Sequence, residues 1–233
     1  MSILSKKLKS FSYKHNLWDV YRDFIEIAAI SISNAIDMKN FERREADYME
    51  IIKKYDKDEL LKFAELMAEL IRELEKNPRD VLGELYMSLE LGDKWKGQFF
   101  TPDSVARIMA EMTFDESVKK RIEEDGYITF LEPSVGGGVT AIAFVNVMIR
   151  HGYNPQEQLL IVCNDLDLKS VYMTYIQLSL LGIPAIVEHR DTLTNELYDT
   201  WYTPFYFLKG FKFKKKSNNK IKIEDNGQLN FIN

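Results

Sequence analysis

Leu131-Glu132-Pro133-Ser134-Val135-Gly136-Gly137-Gly138-Val139-Thr140 is the stretch on which the reading of the fold turns. A mostly apolar run over residues 127–131 leads into it and reads as a buried strand. Behind it, residues 141–149 (AIAFVNVMI) read as a helix buried on most sides. Three consecutive glycines between strand and helix admit positive φ and let another molecule lie against bare backbone. The helix that follows offers free N–H groups and the positive end of its dipole to the same spot. Strand, glycine turn and helix thus describe a cradle for an anionic or nucleoside-bearing ligand. The same glycines would also serve a tight turn that needs them for packing alone, so the surrounding sequence decides.

The chain has 233 residues, room for one large domain or a domain with a helical appendage. With 45% hydrophobic and 29% charged residues it can bury a sizeable core. A net charge of −5 argues against a generally basic nucleic-acid binder, so contact with DNA would need a local basic patch or a partner. Cys163 is the one cysteine, which excludes a disulfide framework and a cysteine-built zinc site, and it reads as a small core residue. His15, His151 and His189 are scattered, so no metal site is expected. The first residues carry no apolar signal core, and no run reaches membrane-span length. A cytoplasmic protein is the expectation.

Residues 1–95 read as a helical N-terminal domain. Trp18, Tyr21, Phe24, Ile25, Ala28 and Ala29 recur at helical spacing. A second stripe, Leu60 to Leu74, follows a cap at Asp56 or Asp58 and ends at Asn77-Pro78, since the residue before proline avoids the α region. A further helix is expected from Asp80 to Leu91. These stripes read as core or as a partner-facing surface. Gly97-Gln98-Phe99-Phe100-Thr101-Pro102-Asp103 then brings Thr101 as N-cap and Pro102 as first helical residue, with Val105, Ile108, Met109 and Met112 on one face. Phe99 and Phe100 could offer a stacking surface, while the helix N-terminus receives a carboxylate; a well-started helix alone accounts for the same residues.

After the glycine turn, strand and helix alternate as in a parallel α/β sheet. Residues 159–163 form an apolar strand ending at Asn164-Asp165-Leu166-Asp167; a helix follows and closes at Gly182; a third strand over residues 185–188 ends at Asp191-Thr192-Leu193. Ligands of doubly wound sheets sit outside the carboxyl ends of the strands. Three such ends therefore bear a glycine turn, Asp165 and Asp191. A carboxylate in the position of Asp165 can accept both hydroxyls of a ribose, and Asp191 an amino proton of an adenine ring. Each aspartate alone could be a cap or a solvated loop residue. Glu132, Gly136, Asp165 and Asp191 together point to a nucleoside-containing ligand.

GQFFTP (residues 97–102), LEPSVGGGVT, CNDLD (163–167) and RDTL (190–193), in this order, resemble the N6-adenine DNA methylases, especially the modification subunits of type I restriction systems. The resemblance spans residues 80–206, and the helical N-terminal part is compatible with the helical domain of those subunits. It implies a Rossmann-like S-adenosylmethionine-dependent methyltransferase fold over residues 96–233. S-adenosylmethionine would be held by Phe99, Phe100, Thr101, Glu132, Ser134, Gly136, Gly138, Asp165, Leu166, Asp191, Thr192 and Leu193. By this likeness Thr101 and the following amides take the methionine carboxylate, Asp165 the ribose and Asp191 the adenine amino group. Ser134-Val135 departs from the polar-Cys or Ala pair usual there.

The resemblance also implies an Asn-Pro-Pro-Tyr/Phe motif at the end of a fourth strand, where this chain has Thr203-Pro204-Phe205-Tyr206. Thr203 replaces the asparagine whose carbonyl would hold the target amino group, and Phe205 the second proline, so catalytic power is expected to suffer. Tyr206 could stack on a flipped-out base. The lysines between 209 and 216, interleaved with Phe207, Phe211 and Phe213, could touch phosphates or form a solvated face. After a loop at 217–219, Asp225-Asn226-Gly227 signals a hairpin over residues 220–232 whose strands could complete the sheet. The implied function is DNA adenine-N6 methylation in a restriction-modification setting. The alternatives are a catalytically weakened cofactor-binding regulator or scaffold, and methylation of RNA or protein. Sequence choice would come from a partner or specificity subunit, and the N-terminal helices are candidates for self-association.

Overall fold

The structure is a computed structural model, which describes residues 2–89, 101–214, 221–223 and 229–231. Five helices come first: α1 (Ile3–Lys9), α2 (Leu17–Asn34), α3 (Phe41–Ile52), α4 (Lys57–Lys76) and α5 (Val81–Ser88). Their limits follow from local chemistry. Asp56 and Glu59 form a reciprocal capping box at the start of α4, with Glu59 N donating to Asp56 Oδ1 at 2.9 Å and Asp56 N to Glu59 Oε2 at 3.0 Å. Asn77, before Pro78, is extended and ends that helix.

Then come α6 (Asp103–Thr113), α7 (Glu116–Asp125), β1 (Ile128–Glu132), α8 (Val139–Arg150), α9 (Pro155–Gln158), β2 (Leu159–Asp165), α10 (Leu168–Leu180), β3 (Ala185–Asp191), β4 (Glu196–Tyr202) and α11 (Pro204–Leu208). A 3-10 turn (Phe211–Phe213) precedes β5 (Ile221–Ile223) and β6 (Leu229–Phe231). The main sheet has the order β1-β2-β3-β4, with the first three strands parallel and β4 antiparallel to β3. The expected parallel sheet is therefore mixed. The C-terminal hairpin forms, but as a separate two-stranded antiparallel sheet with Ile221 opposite Phe231, so β5 and β6 do not complete the main one. The turn that signalled it, residues 225–227, lies outside the described residues.

One face of the sheet is covered by α8 and α10, and α2 packs on the outside of α10. The apolar core runs without a break from Phe11, Phe24 and Leu66 of the N-terminal helices to Phe144, Ile161, Met173 and Val187. Arg44 of α3 reaches the sheet edge: its guanidinium lies 3.6 Å from the Trp201 ring and binds Asp37, Ser33 and the Thr200 carbonyl. Cys163 is buried in this core. On the opposite face, Leu160, Val162 and Ile186 are covered by Tyr206 and Phe211.

Candidate cofactor site

The carboxyl ends of the three parallel strands gather most of the expected residues. Val135 N donates to Asn164 O at 3.0 Å, tying the turn after β1 to the end of β2. Gly136 N donates to Asp165 Oδ2 at 2.9 Å, while Asp165 Oδ1 accepts from Asp167 N at 2.9 Å. Each Asp165 oxygen thus holds one amide and keeps a lone pair for another donor. Burial pushes this carboxyl above its usual range, against the pull of the Asp167 and Gly136 amides.

The third strand end is joined to the first through Thr192. Its hydroxyl donates to Pro133 O at 2.6 Å and accepts from Asn164 Nδ2 at 2.6 Å. Asn164, which the sequence offered only as part of CNDLD, is the buried hub of this link. Asp191 Oδ1 accepts from Leu193 N at 2.8 Å and Thr194 N at 3.1 Å, and the Thr194 amide foremost keeps its carboxyl below the usual range. Glu132 Oε1 takes Ser134 N at 3.3 Å. Leu166 and Leu193 stand exposed beside these carboxylates, Leu193 at 97%.

The turn itself leaves no room for side chains. Gly138 caps α8 at φ 100, and a Cβ on Gly137 would come within 2.3 Å of Asp80 Oδ2. The carbonyls of the turn point backwards: Thr174 Oγ1 donates to Gly136 O at 3.0 Å, and Gln177 Nε2 to Gly137 O at 2.8 Å. The first-turn amides of α8 are left facing the strand ends, which suits an anionic or polar ligand.

Thr101 belongs to the same edge. Glu111, late in α6, binds Arg150 at 2.6 Å and His151 at 3.3 Å at the end of α8, so the two helices run parallel and their N-termini lie side by side. The expected cap is off by one residue: α6 begins at Asp103 with Pro102 in the capping position and no side-chain cap, because the proline ring has no acceptor and Thr101 lies one residue too early. Phe99 and Phe100 lie outside the described residues.

Thr203, Pro204, Phe205 and Tyr206 are not part of this assembly. Because β4 is antiparallel, it carries the chain back towards the start of β3, with Tyr202 opposite Ile186. Thr203 is fully buried there; its hydroxyl accepts from Ala185 N at 2.8 Å and donates to Ile183 O at 2.7 Å. Ala185 and Asp191 are six residue steps apart along β3, about 20 Å at ~3.3 Å per residue. Tyr206, expected to meet a flipped base, is buried against Tyr202 at a ring separation of 5.0 Å. Lys209 and Lys214 stand at this far end too, both bound to Glu157 just before β2. A cavity of about 270 Å³ lies among α1, α4 and α5, and its Arg79 is paired with Glu73 and Glu84. Among the described residues no group of three or more His, Cys, Asp or Glu could hold a metal ion, and no helix is long and apolar enough to cross a membrane.

A glycine turn and two carboxylates at consecutive strand ends of a mixed α/β sheet lie where such folds take their ligands. The family model for N-6 DNA methylases matches residues 77–227, and the chain belongs to that family, which is S-adenosylmethionine-dependent. A solved structure from Listeria monocytogenes, assigned as a class I S-adenosylmethionine-dependent methyltransferase, is similar at 12% identity and a TM-score of 0.42, over 91% of this chain and 69% of that one. No functionally curated protein matches the chain.

Proposed function

We propose that this protein binds S-adenosylmethionine at the edge formed by Gly136–Gly138, Asp165 and Asp191 and serves the methylation of adenine N6 in DNA. The observation that carries the reading is the backward-tied glycine turn with Asp165 bonded to Gly136 N, on a chain of the N-6 DNA methylase family. The donor set fits the cofactor. The unfilled lone pairs of Asp165 suit two ribose hydroxyls, the carboxylate of Asp191 suits an amino group, and Leu166 and Leu193 offer apolar flanks to a purine. Parallel helix N-termini at Asp103 and Val139 suit a carboxylate, with Arg107 bound to Asp103 at 2.7 Å to offset its charge. Bound S-adenosylmethionine supplies an electrophilic methyl on sulfonium, and the task left to the protein is to orient it toward an adenine amino nitrogen and exclude water.

A second reading, a cofactor-binding regulator or scaffold of a restriction-type system, is favoured by one observation. Thr203–Tyr206 and the lysines after them stand at the opposite end of the sheet from the cradle. On either reading, adenine positioning and sequence choice fall to other residues or to a partner subunit in the cytoplasm. The test is transfer of labelled methyl from S-adenosylmethionine to adenine-containing duplex DNA by the purified chain. Label in N6-methyladenine supports the enzyme; cofactor binding without transfer to DNA supports the regulator; transfer to RNA or protein instead contradicts both.

A further inference from the structure

A buried polar chain lies behind the glycine turn. Asp80, the N-cap of α5, is 6% exposed, and its Oδ1 accepts from Gly83 N at 2.8 Å and from Gln177 Nε2 at 2.9 Å. The same Nε2 donates to Gly137 O at 2.8 Å, and Gln177 Oε1 accepts from Leu82 N at 3.1 Å. Gln177 is fully buried, so one carboxamide of α10 joins the N-terminal helices to the turn. Asp80 Oδ2 meanwhile occupies the space a Gly137 side chain would need.

This arrangement is poor for stability alone. Burial pushes the Asp80 carboxyl up, and among the described residues no cation pairs with it. A carboxylate held only by neutral donors in a low-dielectric interior costs free energy that an asparagine would not. Helix capping needs no charge either, since asparagine caps as well as aspartate. What the carboxylate adds is a strong acceptor that fixes the Gln177 amide, and with it the direction of the Gly137 carbonyl.

We propose that Asp80 is a positioning residue of the cofactor site, acting through Gln177 to hold the Gly137 carbonyl away from the cradle so that the turn presents its amides to the ligand. The N-terminal helical layer is then a working part of the site. The proposal rests on the S-adenosylmethionine reading above.

The test measures S-adenosylmethionine affinity and the thermal midpoint of the full chain for wild type, Asp80→Ala, Asp80→Asn, Gln177→Met and the Asp80→Ala/Gln177→Met double variant. Affinity is expected to fall about tenfold in Asp80→Ala and Gln177→Met, as loss of an outer-shell partner commonly produces. The double variant should be no weaker than either single one, since both break the same link. Asp80→Asn, which keeps an acceptor but not its charge, should bind with an affinity between those of wild type and Asp80→Ala while its midpoint is unchanged or raised. Wild-type affinity in folded Asp80→Ala or Gln177→Met, whatever their midpoints, would overturn the proposal. Should Asp80→Ala not fold, Gln177→Met decides. A wild type that binds no cofactor overturns the parent reading, and this one with it.

Discussion

Asp165 holds its two backbone amides on separate oxygens, in a partly buried place where desolvation raises its pKa. Only the ionised form offers all its remaining lone pairs to ribose hydroxyls. Cofactor affinity should therefore fall as pH drops through the raised pKa of Asp165, beginning at a higher pH than for a solvated aspartate. Asp191, kept low by the Thr194 and Leu193 amides, stays ionised through that window. Titrations of wild type and Asp165→Asn at several pH values check this: the wild-type affinity should decline and the variant's stay level. An affinity flat down to acid unfolding would contradict the assignment. Asp165 and Asp191 were legible because apolar runs end on them, and strand ends are where such sheets bind ligands. Asp80 was not, because its meaning lies in a bond to Gln177, 97 residues away. In sequence it reads only as the start of the helix expected from Asp80 to Leu91.

At the scale of elements, the direction of β4 decides the most. Only four residues separate the end of β3 at Asp191 from the start of β4 at Glu196. A parallel return needs a crossover of about a dozen residues or more, whereas an antiparallel one needs a short loop. The short loop is visible in the sequence, whereas the likeness of Thr203–Tyr206 to a catalytic motif implies the opposite strand direction. Asn195, at φ 61, takes the left-handed position in this loop. Thr203 is then a structural clamp at the start of β3. Thr203→Val keeps its shape but strands Ala185 N without its side-chain acceptor, and should cost about 1–3 kcal/mol in denaturant unfolding. Its S-adenosylmethionine affinity should match wild type. A large loss of affinity at unchanged stability would restore Thr203 to the site. The helices were easier to read: Asp56, Pro78 and Gly182 each mark a boundary by local chemistry that tertiary contacts did not override.

Across the whole molecule, the expected division at residue 95 leaves little trace in the core. Tyr21 of α2 donates to Leu82 O at 2.9 Å and contacts Met173 of α10, and Arg44 of α3 caps the outer edge of the sheet against Trp201. Composition could not reveal this, because amphipathic stripes give the periodicity of a buried face and not its partner. The charge distribution is equally non-local: the lysines at 209 and 214 neighbour the phenylalanines in sequence, but the fold binds them to Glu157 away from the cradle. On the proposed reading, the cofactor edge is floored by N-terminal helices, sheet and α10 together. The most direct test is calorimetric titration of the intact chain with S-adenosylmethionine at neutral pH, with Asp165→Ala alongside. The account expects saturable binding at one site per chain, lost in the variant while its fold is kept. A folded wild type that binds no S-adenosylmethionine, or a variant that binds it equally well, would contradict it.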